Sequence, residues 1–208
     1  MTALAPRVFV VDDDASVRKS LSRLLSSAGY QVETFASSVD FLNRPPHEGP
    51  SCLVLDVRMP GPSGLDLQTA LAAAGRPMSI VFVTGHVDVP MSVAAMKAGA
   101  VDLLTKPVDE KDLLKAIARA MAKDTLERSD EAQVAGTRER LATLTPRERD
   151  VFARVVTGML NKQIASELGI SEKTVKVHRA RVMQKMGAGS VAELVRMADR
   201  VGSSGSRS

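Results

Sequence analysis

Over its first 123 residues the chain alternates short apolar runs with longer amphipathic stretches, and this alternation restricts the possible folds more than any other feature. Val8-Phe9-Val10-Val11, Gln31-Val32-Glu33-Thr34-Phe35, Leu53-Val54-Leu55, Ile80-Val81-Phe82-Val83 and Val101-Asp102-Leu103-Leu104 read as five strands. Four are nearly continuous apolar runs, the pattern of strands covered on both faces; the second alternates and suits an edge. Helix-patterned stretches lie between them at residues 15–28, 38–42, 64–74 and 89–98, with another at 110–123. This order predicts an α/β fold: a doubly wound five-stranded parallel sheet with right-handed crossovers, whose sites form where strand C-termini open into loops.

Residues 124–140 are polar, hold one glycine and no proline, and read as a linker that is helical over part of its length. From Leu141 onward only short helices are patterned, at residues 146–157, 161–168, 171–186 and 190–200. Thr145, Pro146 and Glu148 mark a helix start. Gly169 after Leu168, followed by Ser171, leaves only a tight turn between two helices, as a helix-turn-helix requires. The domain plan is therefore 1–123 for the sheet, 124–140 for the linker, 141–200 for a small all-α helix-turn-helix domain, and 201–208, Gly/Ser-rich, as a disordered tail.

Charge divides along the same boundary. Residues 1–123 carry 13 Lys+Arg against 13 Asp+Glu, whereas residues 141–208 carry 12 against 6, so the excess of cations belongs to the helical part and points to nucleic acid. No apolar run approaches a membrane span, the N-terminal residues before the first strand are too short for a secretory signal, and the single cysteine, Cys52, sits in an apolar run. These features predict a cytoplasmic protein with a buried thiol.

The chemistry-bearing residues cluster at predicted strand ends. Asp12, Asp13 and Asp14 follow the first strand, Asp56 the third, Thr84-Gly85 the fourth and Lys106-Pro107 the fifth. Carboxylates on adjacent parallel strands select a hard cation, Mg²⁺ or Mn²⁺. With a hydroxyl and an ammonium they form a kit for handling a phosphoryl group, whose charge a cation and a lysine would neutralise. Asp14 reads instead as a helix N-cap, and His47 and His86, with no partner at ligand spacing, as surface residues.

With Val-Val-Asp-Asp-Asp, Leu-Asp-Val-Arg-Met-Pro-Gly, Val-Thr-Gly-His and Thr-Lys-Pro in order, residues 7–120 resemble the flavodoxin-like receiver domains of two-component response regulators. The resemblance implies Asp56 as phosphoacceptor, Asp12 and Asp13 as the acid pair holding the metal, the Arg58 carbonyl as a further ligand, Thr84 as switch hydroxyl and Lys106 as phosphate partner. It also implies a cis Lys106–Pro107 bond, and an activity confined to the domain's own phosphorylation and dephosphorylation, so not an enzyme in the usual sense. Receivers often carry Tyr or Phe three residues before the lysine; here Leu103 stands there, so an aromatic rotamer flip cannot operate.

Residues 141–200 resemble the DNA-binding domain of NarL/FixJ and LuxR-type regulators, through Leu144-Thr145-Pro146-Arg147-Glu148-Arg149, Asn161-Lys162-Gln163-Ile164-Ala165 and Ile170-Ser171-Glu172-Lys173-Thr174-Val175-Lys176-Val177-His178. On the helix after Ser171, Val175, Val182 and Met186 recur at core spacing, while Lys173, Lys176, Arg179 and Arg181 make a cationic face suited to the major groove. The resemblance implies base contacts from Lys176 and Val177 and phosphate contacts from Lys162, Lys173, Thr174 and His178. It further implies a sensor histidine kinase, promoter DNA and RNA polymerase as partners, and a homodimer formed on phosphorylation, for which the apolar stretch Val89, Pro90, Met91, Val93, Ala94 and Ala95 and the stripe Val191, Leu194, Val195 and Ala198 offer surfaces. Two other readings stay open: a phosphatase using Asp12-x-Asp14 as its nucleophile motif, and a constitutive DNA-binding protein whose first domain only docks partners.

Overall fold

The computed structural model describes residues 5–85 and 88–204. The backbone forms two compact units, one running to Arg128 and the other from Ser129 onward. In the first, strands β1 (Arg7–Val11), β2 (Gln31–Phe35), β3 (Ser51–Asp56), β4 (Ile80–Thr84) and β5 (Asp102–Thr105) alternate with helices α1 (Ala15–Ser27), α2 (Ser38–Leu42), α3 (Gly64–Ala73) and α4 (Val89–Lys97), and α5 (Glu110–Ala142) follows. All four strand pairings are parallel, in the order β2-β1-β3-β4-β5. The alternating β2 is an edge as its pattern predicts, and the more apolar β5 is the other.

Side-chain alternation along the strands feeds two cores. Val8, Val10, Cys52, Val54, Val81 and Val83 pack with Leu21 and Leu25 of α1 and Leu113, Ile117 and Ala120 of α5. Phe9, Val11, Leu53, Leu55 and Phe82 face the other way, against Phe41 of α2, Leu67 and Leu71 of α3 and Ala95 of α4. The three central strands are buried at nearly every position, which is why their sequences are apolar without interruption. Each large side chain so buried contributes about 1.5–3 kcal/mol of transfer free energy. Cys52 is fully buried and burial pushes its thiol pKa far up, leaving it unreactive.

The structure corrects four expectations. Residues 124–140 are helical throughout, because α5 continues unbroken to Ala142. Its composition favours helix, and Asp124, buried against the sheet, fixes the helix there by accepting a hydrogen bond from the Ser51 N–H (2.9 Å) and pairing with Arg128 (2.6 Å). The last helix runs to Ser204, beyond the predicted end at residue 200, with Val201 half-buried; residues 205–208 lie outside the described part. His47 is not a simple surface residue, since its ring meets Phe9 edge-on at 5.8 Å; His86 lies outside the described residues. Ala95, counted among the exposed apolar residues of α4, is buried in the core.

The second unit holds α6 (Pro146–Val156), α7 (Asn161–Leu168), α8 (Glu172–Met186) and α9 (Val191–Ser204) around Val151, Val155, Ile164, Val175, Val182, Met186 and Leu194. Thr145 caps α6 in a reciprocal box with Glu148. Gly169 ends α7 at φ +64°, a left-handed backbone that costs a side chain energy, and Ser171 starts α8 two residues later. The buried Glu148 also accepts from Lys185 Nζ at 2.7 Å, tying the start of α6 to the end of α8.

Glu148 carries a pH prediction. The Lys185 hydrogen bond, with help from the Thr145 N–H, lowers its pKa from 4.5 to about 2. Because the folded pKa is depressed, the stabilisation is complete above pH 4.5 and lost as pH falls towards 2. Thermal melts between these values should therefore show a falling transition for the helical unit, and Glu148→Gln should lower the transition at neutral pH while flattening its dependence on pH in that window.

Candidate functional site

The sheet order reverses direction between β1 and β3, whose C-terminal ends lie side by side with Val11 opposite Leu55. The next residue of each strand line is an aspartate, so parallel pairing alone brings Asp12 to Asp56 at the point where helices leave to opposite faces. On the other side, Asp56 is opposite Val83 and Thr84 is opposite Thr105, which places Lys106 one step beyond. Its N–H donates to the Thr84 carbonyl at 2.8 Å, and the Lys106–Pro107 peptide is cis, as the sequence motif implies.

Lys106 Nζ lies 2.7 Å from Asp12 Oδ2 and 2.6 Å from Asp56 Oδ2. Asp12, Asp56 and Thr84 are buried, Asp13 is exposed, and Lys106 is half-buried. Burial lifts the Asp12 pKa above its ordinary 3.8 despite the Lys106 contact. For Lys106, desolvation lowers the pKa, but hydrogen bonds to Asp12 and Asp56 outweigh it and the ammonium is held charged. The second oxygens of the two acids are also engaged, Asp12 Oδ1 by the Asp14 N–H (2.9 Å) and Asp56 Oδ1 by the Arg58 N–H (3.1 Å). Arg58 thus meets the site through its backbone, while its side chain is exposed. Asp14 caps α1, accepting from the Ser16 N–H at 2.7 Å.

One carboxylate oxygen from each of Asp12, Asp13 and Asp56 lies within 4.8 Å of the others. Three hard oxygen donors converging beside one ammonium fit Mg²⁺ or Mn²⁺ and fit poorly a soft ion. Two neighbours of this site carried no motif signal. Arg18 of α1 donates to the carbonyls of Asp12 and Asp13 at 2.7 and 2.8 Å. Gly64 packs so closely beneath Asp56 that a Cβ there would lie 2.3 Å from the Asp56 carbonyl oxygen.

In the helical unit, Lys162, Lys173, Lys176, Val177 and Arg181 are exposed, and Val175, Val182 and Met186 fill the core. Thr174 and His178 are half-buried; the Thr174 hydroxyl lies 2.8 Å from that of Ser171, and His178 Nδ1 is buried with no hydrogen-bond partner among the described residues. Arg179 is half-buried and donates to Asn161 Oδ1 at 2.9 Å, bracing α8 against α7 with part of the cation assigned to the DNA face.

A five-stranded parallel sheet with a lysine-bridged acid cluster, followed by a helix-turn-helix with a cationic helix, defines a class of phosphorylation-controlled regulator. Residues 8–118 match the response regulator receiver domain, and residues 142–198 match the bacterial regulatory proteins of the luxR family. The chain is 48% identical to Nodulation protein W of Bradyrhizobium diazoefficiens over 94% of its length and 86% of that protein's, and 44% identical to the transcriptional regulatory protein FixJ of the same organism over 94% and 95%. The structure of response regulator StyR superposes with a TM-score of 0.83 at 47% identity, covering 94% of this chain and 99% of that one. The chain belongs to the NarL/FixJ family of two-component response regulators. It is a transcriptional regulator with a receiver and a LuxR-type DNA-binding domain, and no helix among the described residues is long and apolar enough to cross a membrane.

Proposed function

We propose that Asp56 is the phosphoacceptor through which a sensor histidine kinase controls promoter binding by this chain. The observation that carries the reading is the position of Asp56: a buried carboxylate with one oxygen 2.6 Å from Lys106 and within reach of two further acids. An Asp56 oxygen attacks the phosphorus as the bond to the donor's leaving group breaks, giving an acyl phosphate. A divalent ion held by Asp12, Asp13, Asp56 and the Arg58 carbonyl would supply charge neutralisation. Lys106 moves from bridging two carboxylates to meeting the phosphoryl oxygens, and Thr84 donates its hydroxyl to one of them. Hydrolysis of the acyl phosphate by the same site resets the protein. Residues 1–123 perform this chemistry and residues 141–200 bind DNA in the cytoplasm, with RNA polymerase as the downstream partner.

On DNA, Lys176 and Val177 read bases, and Lys162, Lys173, Thr174, His178, Arg179 and Arg181 set register or brace the helix. Phosphorylation joins two copies through α4, where Val89, Val93 and Met96 at helical spacing are 76%, 45% and 48% exposed. Two DNA-binding domains then share one operator at raised effective concentration.

The test is labelling of the intact chain with acetyl phosphate. Uptake should require Mg²⁺ and vanish in Asp56→Asn. A phosphatase using Asp12 would still label in that variant, and a receiver that only docks partners would label in neither.

A further inference from the structure

We propose that Arg18 is the positioning residue of the divalent-metal site, a clamp on the backbone of Asp12 and Asp13 that makes their carboxylates converge on Asp56; this rests on the metal-site reading above. Arg18 stands near the start of α1, where the helix dipole disfavours a cation, so its placement needs a compensating use. That use is visible: one guanidinium nitrogen, Nη1, donates to both the Asp12 and the Asp13 carbonyl, at 2.7 and 2.8 Å. Both bonds go to the main chain, so Arg18 itself takes up no carboxylate oxygen of the acid pair. The rest of the loop is held by the Asp14 N–H on Asp12 Oδ1 and by the Asp14 cap on α1. Those contacts fix Asp12 and Asp14. Asp13 is exposed and beyond the end of β1, and the guanidinium fastens its carbonyl to α1.

A clamp and a mere counter-charge differ in sign. A guanidinium that only offset the charge of the acids would repel an entering cation, so its removal would tighten metal binding. A clamp works the other way. Groups that orient ligands from behind are typically worth about 10–100-fold in metal affinity.

The experiment is a Mn²⁺ titration of the intact chain, reading free ion by electron paramagnetic resonance, with far-UV circular dichroism as the check on folding. Arg18→Met is expected to bind about 10-fold more weakly with an unchanged spectrum. Arg18→Lys, whose ammonium can donate to both carbonyls, should restore most of the affinity. If Arg18→Met fails to fold, Arg18→Leu, uncharged and unable to donate, replaces it under the same criteria. Binding by the neutral variant that equals or exceeds wild type overturns the clamp while leaving the site intact. A wild-type chain that takes up no Mn²⁺, or an Asp13→Asn variant that binds as wild type does, overturns the metal site and the clamp with it.

Discussion

Gly64→Ala is expected to destabilise the sheet unit by about 3 kcal/mol, the upper range for forcing an extra methyl into a packed interior. The added Cβ would lie 2.3 Å from the Asp56 carbonyl oxygen and 3.1 Å from Val57 Cα. Both are backbone atoms, so no flexible side chain can give way. The contact exists because α3 starts directly beneath the end of β3, with the Gly64 N–H donating to the Val57 carbonyl at 2.9 Å. Relief of the clash must therefore shift the peptide that carries Asp56, and phosphorylation should slow along with the loss of stability. Urea denaturation of the intact chain measures the first effect and acetyl phosphate labelling the second. A variant within 1 kcal/mol of wild type that labels normally would contradict the packing argument.

Lys106→Ala should have the largest effect on signalling short of replacing Asp56. Two buried carboxylates would lose the ammonium between them, which for a fully buried pair costs about 3–5 kcal/mol. The Lys106 side chain is 23% exposed, so solvent screening reduces the expected loss to about 2 kcal/mol in the absence of metal. Loss of a preorganised charge facing the phosphoryl group should cost about 10²-fold in activation. Divalent-metal affinity should hold or rise, since the ammonium occupies the same Asp12 and Asp56 oxygens that the cation needs. Paired metal titration and operator binding of this variant check both parts, and a large fall in metal affinity would show that Lys106 helps to hold the ion.

The residues legible in the sequence were those whose positions follow from strand ends alone. Asp12, Asp56, Thr84 and Lys106 each stand at or one step past the end of a parallel strand, so the strand pattern and the parallel register bring them together without further information. Arg18 and Gly64 depend on how a helix sits against a loop, which no periodicity encodes. The full length of α5 is hidden because its polar composition reads as linker. Its anchor, Asp124 on the Ser51 N–H, joins residues 73 positions apart. Ala95 reads as part of the α4 surface because its neighbours are apolar too, but Val89, Val93 and Met96 recur at helical spacing and it falls off that stripe. Leu103 packs with the core beside Phe82, so no aromatic side chain stands at that position to flip.

If a phosphoryl group on Asp56 favours one conformational state, affinity for DNA should rise with it. Fluorescence anisotropy of a labelled operator fragment, with and without beryllofluoride as a phosphoryl mimic, tests it most directly. Wild type should bind more tightly with the mimic and Asp56→Asn should bind identically in its presence and absence, whereas equal tightening of the two proteins would contradict the account.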